Sequence, residues 1–158
     1  MDLHVVGPLA SPAERAAIES AVGPREPGLG GHAARGGHAA RGRRDLLLPA
    51  LHAVQSRVGW ISQPALNEIC RRLTIPPAEA YGVASFYALF SLAPRPPVVA
   101  HVCDDIACLA RGADQLCADL ERTLGPAGTP GADGRTTWLR SPCLGLCERA
   151  PAALVTVA

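Results

Sequence analysis

The sequence predicts an α+β fold in which a helical bundle comes first and a βαβ unit follows. Between positions 45 and 91, apolar residues recur at helical spacing. From position 98 the pattern changes to short β-branched runs, with a helical run between the first two. Of the 158 residues, 48% are hydrophobic and 18% charged, so the chain can bury a core. We divide it into a short helix with a flexible linker (1–44), a helical bundle (45–93) and a domain built on the βαβ unit (94–158).

The N-terminal segment predicts one short helix over 9–23. Ser11 is its expected N-cap, Pro12 lies in its first turn, and Glu14 completes a capping box. The following Gly, Pro and Arg-rich stretch contains the hexapeptide GGHAAR twice in tandem, at 30–35 and 36–41. Its His and Arg side chains offer ligands for a metal or an anion, but a composition that cannot bury a core favours a flexible linker.

The helical bundle is predicted from three amphipathic runs. Asp45 is the expected cap of the first, and Gly59 follows its end. The third opens with prolines and carries an aromatic stripe, a pattern typical of a core or a subunit interface. The expected core positions are Leu47, Leu51, Val54 and Val58 in the first run, Leu66, Ile69, Cys70 and Leu73 in the second, and Ala80, Val83, Ala84 and Tyr87 in the third.

The βαβ unit is predicted from strands over 98–103 and 136–141 and a helix over 111–126. Its two strands should run parallel with a right-handed crossover. A third strand is expected over 152–157. The helix should turn one face to the core, made of Ala113, Leu116, Cys117, Leu120 and Leu124.

This geometry sorts the cysteines. Cys103 is expected to end the first strand and Cys143 the second, with Cys108 and Cys147 in the loops that follow. Because parallel strands finish at the same edge of a sheet, all four thiols should meet at one rim. The other two cysteines are mid-helix and are interpreted as small core residues.

Four convergent thiols favour a metal centre. The start "MDLHVV" lacks the basic region of a signal peptide, and no apolar run reaches the about 18 residues of a spanning helix, so we expect a soluble, cytosolic protein. In that compartment cysteines point to metal or redox chemistry before disulfides. Gaps of four and three residues are wider than the C-x₂-C knuckle of structural zinc and suit a [2Fe–2S] cluster better. Zinc, disulfides and free thiols remain open alternatives.

Other chemistries find little support. The net charge of +1 implies no polyanionic partner. The run "GLGGHA" at 28–33 fits a loose dinucleotide fingerprint, but no strand precedes it, so nicotinamide and flavin should bind to a partner. The sequence contains no P-loop, no H-E-x-x-H and no serine elbow, and we assign no catalytic residue.

The segments "CDDIAC" at 103–108 and "CLGLC" at 143–147, with "YGVASFYALF" at 81–90, resemble the thioredoxin-like [2Fe–2S] ferredoxin family. Its members include the E subunit of NADH-quinone oxidoreductase and the γ subunits of NAD-dependent formate dehydrogenases and hydrogenases. The resemblance runs from about Leu46 to Val157 and implies that Cys103, Cys108, Cys143 and Cys147 are the cluster ligands.

The resemblance also implies a role. Such a subunit belongs to an NADH dehydrogenase complex and exchanges single electrons with the FMN of a partner flavoprotein that binds NADH. The implied location is cytoplasmic, or the cytoplasmic side of a membrane complex. The alternatives are a γ subunit of a formate dehydrogenase or hydrogenase and, in another class, a zinc-stapled Cys₄ binding module. A thiol–disulfide oxidoreductase is disfavoured, because no C-x₂-C follows the first strand.

The chain departs from the family pattern in three places. Members usually continue with a fourth strand and a terminal helix, so we expect a C-terminally shortened domain whose last strand has an open edge. Asp104 and Asp105 stand where small hydroxyl residues are common; they should lower the cluster potential unless solvent screens them. The GGHAAR linker has no counterpart.

Four further positions near the ligands are singled out. Gly145 either lets backbone amides approach the cluster sulfurs or simply makes a tight turn. Pro142 and Pro151 should brace the loop on either side. His101 is interpreted as a strand residue, with a tuning role for the cluster as the alternative.

Overall fold

The computed structural model describes residues 7–24 and 43–158. The GGHAAR repeats and the "GLGGHA" run therefore lie outside the described residues, and the predictions made for them stay predictions. The chain forms two compact units, Met1–Ala93 and Pro94–Ala158. None of the helices described in either unit is long and apolar enough to cross a membrane.

The first unit is helical. Its helices are α1 (Pro12–Val22), α2 (Leu47–Val58), α3 (Gln63–Leu73) and α4 (Pro77–Phe86), and a 3₁₀ turn, Arg44–Leu46, precedes α2. Their apolar faces enclose one core, to which α1 contributes Ala17, Ile18 and Val22. The core residues predicted for α3 are all buried there, because they recur on one face of the helix.

Helix α1 begins with the predicted capping box. The Ser11 hydroxyl accepts a hydrogen bond from the Glu14 N–H at 3.2 Å, and the Glu14 carboxylate accepts one from the Ser11 N–H at 2.6 Å. Helix α2 differs from its prediction, because Asp45 does not cap it. That residue lies inside the 3₁₀ turn, and no side chain caps the start of α2. Gly59 ends α2 as predicted, with φ +90° in the left-handed region.

The aromatic stripe predicted for the third helix is partly wrong. Ala80 and Ala84 are buried, but α4 ends at Phe86, and Tyr87 follows it in extended conformation with 45% of its surface exposed. The chain then turns, with the Phe90 N–H donating to the Tyr87 carbonyl at 3.0 Å. The helical stripe therefore stops before Tyr87.

The second unit contains a three-stranded sheet in the order β2-β1-β3. Its elements are β1 (Val98–Cys103), α5 (Ile106–Leu109), α6 (Ala113–Leu124), β2 (Thr136–Ser141) and β3 (Ala153–Val157). Strands β1 and β2 are parallel, as the βαβ pattern predicts, and β3 is antiparallel to β1. On one side of this sheet Val102, Cys117 and Trp138 form a buried cluster.

Two features of the second unit were not expected. Leu124 lies in the last turn of α6 and is 38% exposed, so it is not a core residue. The short helix α5 occupies what was predicted to be a loop. By contrast, the last strand has the expected open edge: β3 lies at the edge of the described sheet and exposes Leu154, Val155 and Val157.

Candidate metal centre

Four cysteines of the second unit line one cavity of about 290 Å³. Cys103, Cys108, Cys143 and Cys147 contribute to its wall, together with Asp105, Ile106 and Ala107. The cavity lies where the parallel strands β1 and β2 end, which is the placement that the strand directions predict.

Each cysteine is carried by a defined piece of backbone. Cys103 is the last residue of β1, as predicted. Cys108 lies in helix α5 rather than in a loop. Strand β2 ends at Ser141, so Cys143 follows two residues after the strand and does not terminate it as predicted. Cys147 opens a 3₁₀ turn.

The four sulfurs form two pairs. The Sγ atoms of Cys143 and Cys147 are 3.4 Å apart. Two thiolates on one tetrahedral metal, with metal–sulfur bonds of about 2.3 Å, lie about 3.7 Å apart, so this pair already has nearly the separation of two ligands on one ion. The thiols of Cys103 and Cys108 are also hydrogen bonded to each other.

The pairs differ in exposure. Cys103 and Cys108 are each 2% exposed and pack with Ala113 and Ala152. Cys143 and Cys147 are exposed to solvent. A group bound in the cavity would thus have one protein-covered side and one side facing water.

The buried pair combines a thiol whose pKa is lowered with one whose pKa is raised. Burial opposes ionisation of Cys103, but hydrogen bonds from the Asp105 N–H, the Cys108 thiol and the Leu144 N–H lower its pKa overall. The pKa of Cys108 is raised: the Ala152 N–H favours its thiolate, but burial and the neighbouring Cys103 outweigh it. A thiol that donates to one sulfur and faces its negative charge keeps its own proton, and a metal would displace that proton.

The exposed pair also contains a thiol that resists ionisation, Cys147. The hydrogen bond that the Cys147 thiol makes with Cys143, followed by the charge of that sulfur, raises the pKa of Cys147. Gly145 donates its N–H to the Cys143 sulfur at 3.4 Å and has φ +77°. Glycine adopts this left-handed backbone without steric cost, so the turn that gives Gly145 its shape also aims its amide at a sulfur.

The two acidic residues after Cys103 have separate partners. Asp104 accepts a hydrogen bond from the Arg140 guanidinium of β2 at 3.2 Å. The Asp105 carboxylate accepts one from the Ile106 N–H at 2.8 Å and caps α5. Neither partner was foreseen from the sequence, although an Asp directly before a short apolar run is a usual N-cap signal.

The four sulfurs stand as two pairs rather than as one group of ligands. Within the described ranges 7–24 and 43–158, no group of three or more His, Cys, Asp or Glu side chains is placed as the ligands of a metal ion. Two pairs around one cavity instead fit a binuclear cluster, in which each iron takes two thiolates. A larger cavity of about 680 Å³ in the first unit is lined by Ala, Ser and one Arg side chain, and so lacks metal donors.

The remaining cysteines lie in helices. Cys70 and Cys117 are fully buried, in α3 and α6. Burial raises the pKa of Cys70 to about 11 and also raises that of Cys117. Both thiols therefore stay protonated and pack as small apolar groups, which is how the sequence was interpreted.

His101 is more unusual than its position in a strand suggested. It is fully buried, and neither ring nitrogen has a hydrogen-bond partner among the described residues. Burial, with the charge of Arg95, lowers its pKa, so the ring is held neutral. A histidine within an otherwise apolar β-run was the available sequence signal.

Comparison with known proteins places these cysteines in context. The chain is 37% identical over 111 residues to NADH-quinone oxidoreductase subunit 2 of Thermus thermophilus, covering 70% of this chain and 61% of that protein. It is 36% identical over 112 residues to the E subunit of the Escherichia coli NADH-quinone oxidoreductase, covering 68% of this chain and 66% of that protein. This chain thus spans less than two thirds of the length of either relative.

A solved structure and a family model also match this chain. The crystal structure of an NAD⁺-reducing [NiFe]-hydrogenase in the H₂-reduced state aligns with a TM-score of 0.57 at 33% identity, covering 69% of this chain and 18% of that one. The family model described as thioredoxin-like [2Fe-2S] ferredoxin matches residues 36–157. The resemblance inferred from the cysteine motifs is confirmed, and this chain belongs to the thioredoxin-like [2Fe–2S] ferredoxin family.

Proposed function

We propose that this protein is the electron-transfer iron–sulfur subunit of an NADH dehydrogenase, with one [2Fe–2S] cluster held by Cys103, Cys108, Cys143 and Cys147. The observation that carries the proposal is the arrangement of these four sulfurs as two pairs around one cavity. When bound, such a cluster accepts and releases one electron at a time.

The protein's own groups suit a negatively charged guest. Backbone N–H groups of Asp105, Leu144, Ala152 and Gly145 point at cysteine sulfurs. Hydrogen bonds to thiolates stabilise added negative charge and so favour the reduced state. The buried pair keeps water from one side, whereas the exposed pair leaves the other side open to an electron donor or acceptor.

The proposed partner is a flavoprotein subunit that binds FMN and oxidises NADH. The names of the relatives support it, since they are NADH-quinone oxidoreductase subunits. The alternative is a subunit of an NAD-linked hydrogenase or formate dehydrogenase. Of these two, the similarity to an NAD⁺-reducing hydrogenase favours the hydrogenase. The cytosolic location expected from the sequence stays a prediction.

Anaerobic purification followed by iron and sulfide assays tests the cluster. We expect about two iron and two sulfide per chain and an EPR signal that appears only after dithionite. Zinc without sulfide would replace the proposal with the Cys₄ zinc module, and metal-free thiols would replace it with a dithiol protein. NADH should reduce the cluster only when the flavoprotein is present; reduction of the isolated chain by NADH would contradict the proposed partner.

A matched pair of cysteine variants tests the ligands. Cys143→Ser should abolish the visible chromophore, and since the side chain is exposed the change adds no buried polar group. Cys117→Ala changes a buried cysteine of α6 and should keep the iron content. Full iron content in Cys143→Ser would overturn the assignment.

A further inference from the structure

Ala152, the residue before β3, contacts both cysteines of the buried pair. It is 6% exposed and packs with Cys103 and Cys108 in one apolar cluster. Its carbonyl accepts a hydrogen bond from the Cys103 N–H at 3.0 Å. Its own N–H donates to the Cys108 sulfur. One residue thus connects the backbone of the first cysteine to the side chain of the second.

Ala152 is held in place by an edge strand. Strand β3 pairs with β1 from Val157 opposite Val98 to Ala153 opposite Val102, and it has no second partner strand in the described sheet. Leu154, Val155 and Val157 are 40%, 60% and 70% exposed, so apolar burial stabilises β3 little. An element of this kind opens locally more readily than a core strand.

We propose that β3 is a positioning element for the metal centre: its pairing with β1 seats Ala152 against Cys103 and Cys108, and a bound cluster in turn holds β3 on the sheet. The inference rests on the proposed function, because it assumes that the four cysteines hold a cluster. The coupling is reciprocal: a cluster that binds only when β3 is paired with β1 also stabilises that pairing.

The register of the sheet offers a matched pair of proline variants. Hydrogen-bonded and non-bonded positions alternate along an antiparallel pair. Because Cys103 bonds to Ala152 and Ala158 donates to Pro97, the position of Leu154 opposite His101 is a bonded one. Val155, opposite Ala100, lies between bonded positions, and its N–H points away from β1. Proline is tolerated where the N–H of an edge strand faces outward.

The experiment compares Leu154→Pro with Val155→Pro in the full chain. We expect Leu154→Pro to lose iron to a chelator about tenfold faster than the unmodified protein, the factor that one backbone hydrogen bond represents. Val155→Pro should lose it at the unmodified rate. Equal rates for the two variants would overturn the inference.

A second measurement needs no cluster. In the metal-free protein, Leu154→Pro should expose Cys108 to an alkylating reagent, whereas Cys147, already exposed, should react at an unchanged rate. If Cys108 stays protected while the amides of β3 exchange freely with deuterium, β3 does not position that cysteine. Iron and sulfide in the unmodified protein are measured first, so failure of the proposed function is seen separately from failure of this inference.

Hydrogen exchange in the unmodified protein covers the case in which Leu154→Pro fails to fold. The amides of Ala153–Val157 should exchange several-fold more slowly with the cluster bound than after its removal. The exchange rates of the α6 amides should change by a smaller factor. An unchanged exchange rate in β3 would contradict the coupling.

Discussion

Asp104 and Arg140 form an ion pair beside the candidate metal centre. Arg140 stands on β2 and Asp104 directly follows Cys103, and their side chains are 3.2 Å apart. The pairing depends on the parallel register, which sets Val102 opposite Arg140. The pair neutralises one of the two acids that were expected to lower the cluster potential.

Removing the Arg140 charge should make the cluster harder to reduce. In Arg140→Gln the Asp104 carboxylate stays uncompensated close to Cys103, so the reduction potential should fall, and the shift should shrink at high salt. Redox titration followed by EPR measures it. The double variant Asp104→Asn/Arg140→Gln should restore the potential, and Arg122→Gln, which breaks an exposed pair on α6, should leave it unchanged. A rise in the Arg140→Gln potential would contradict this account.

Gly145 can be tested against another glycine with positive φ. Gly145 and Gly134 have φ +77° and +64°, and a Cβ added at either would meet nothing within 4 Å. Alanine at each should therefore lower the free energy of unfolding by a similar amount, about 1–2 kcal/mol, through backbone strain alone. Only Gly145→Ala should also shift the EPR spectrum, because the backbone strain there would move the N–H that donates to the Cys143 sulfur. Urea unfolding measures the strain, and EPR measures the effect on the cluster. An unshifted spectrum for Gly145→Ala would show that Gly145 only forms the turn.

At this scale the sequence predicted which cysteines converge, because the strand order alone brings their positions together. It did not predict the partners of Asp104 and Asp105, which depend on register and on a four-residue helix. The buried, unpartnered ring of His101 was also out of reach, since burial of a strand residue depends on what covers it.

Among the helices, Glu14 connects two elements. Its carboxylate accepts hydrogen bonds from Ser11, the N-cap of α1, and from the hydroxyl of Ser62, the N-cap of α3. Ser62 in turn accepts from the Ala65 N–H at 3.1 Å. Burial would raise the pKa of Glu14, but these hydrogen bonds outweigh it and lower the pKa from its ordinary 4.5.

Glu14→Gln should weaken the first unit and change its acid sensitivity. Because the folded pKa is depressed, the carboxylate stabilises the fold above pH 4.5, and this stability is lost as the pH falls through the lower folded value. Glu14→Gln should lower the free energy of unfolding by about 1–3 kcal/mol near pH 7. That free energy should then fall less steeply as the pH drops below 4.5 than it does in the unmodified protein. Urea unfolding at several pH values measures both, and Glu19→Gln, on the exposed side of α1, should match the unmodified protein. An unchanged dependence of the unfolding free energy on pH in the acid range would contradict the role of Glu14.

The local signals of this unit explain which helix boundaries were predicted. The capping box at Ser11 and the glycine after α2 act within a few residues, so the sequence shows them directly. Asp45 failed as a cap because a 3₁₀ turn precedes α2, and Tyr87 failed as a helix residue because the chain turns there. Both outcomes depend on how neighbouring elements pack.

Across the whole chain, the two units bury their apolar residues differently. Met1–Ala93 has one continuous helical core. In Pro94–Ala158 the buried apolar groups include two small clusters, one of which consists partly of Cys103 and Cys108. A bound metal centre would thus take the place of part of a core in the second unit.

Removal of the cluster should destabilise one unit more than the other. Chelation should speed hydrogen exchange in β1 and β2 by at least tenfold, because a ligand present at 100 times its dissociation constant contributes about 2.7 kcal/mol. Exchange in α2 and α3 should change far less. Equal acceleration in both units, read by mass spectrometry of peptides from each, would contradict this division.

The unequal covering of the two cysteine pairs sets an order of chemical damage. An oxidant arriving from solvent reaches Cys143 and Cys147 first, while Cys103 and Cys108 stay sheltered beneath the backbone. Sulfenic and sulfinic acids would accumulate on the outward sulfurs, and sulfinic acid is not reversed by ordinary thiols. In aerated solution the protein would therefore lose its two exposed thiols before its two buried ones.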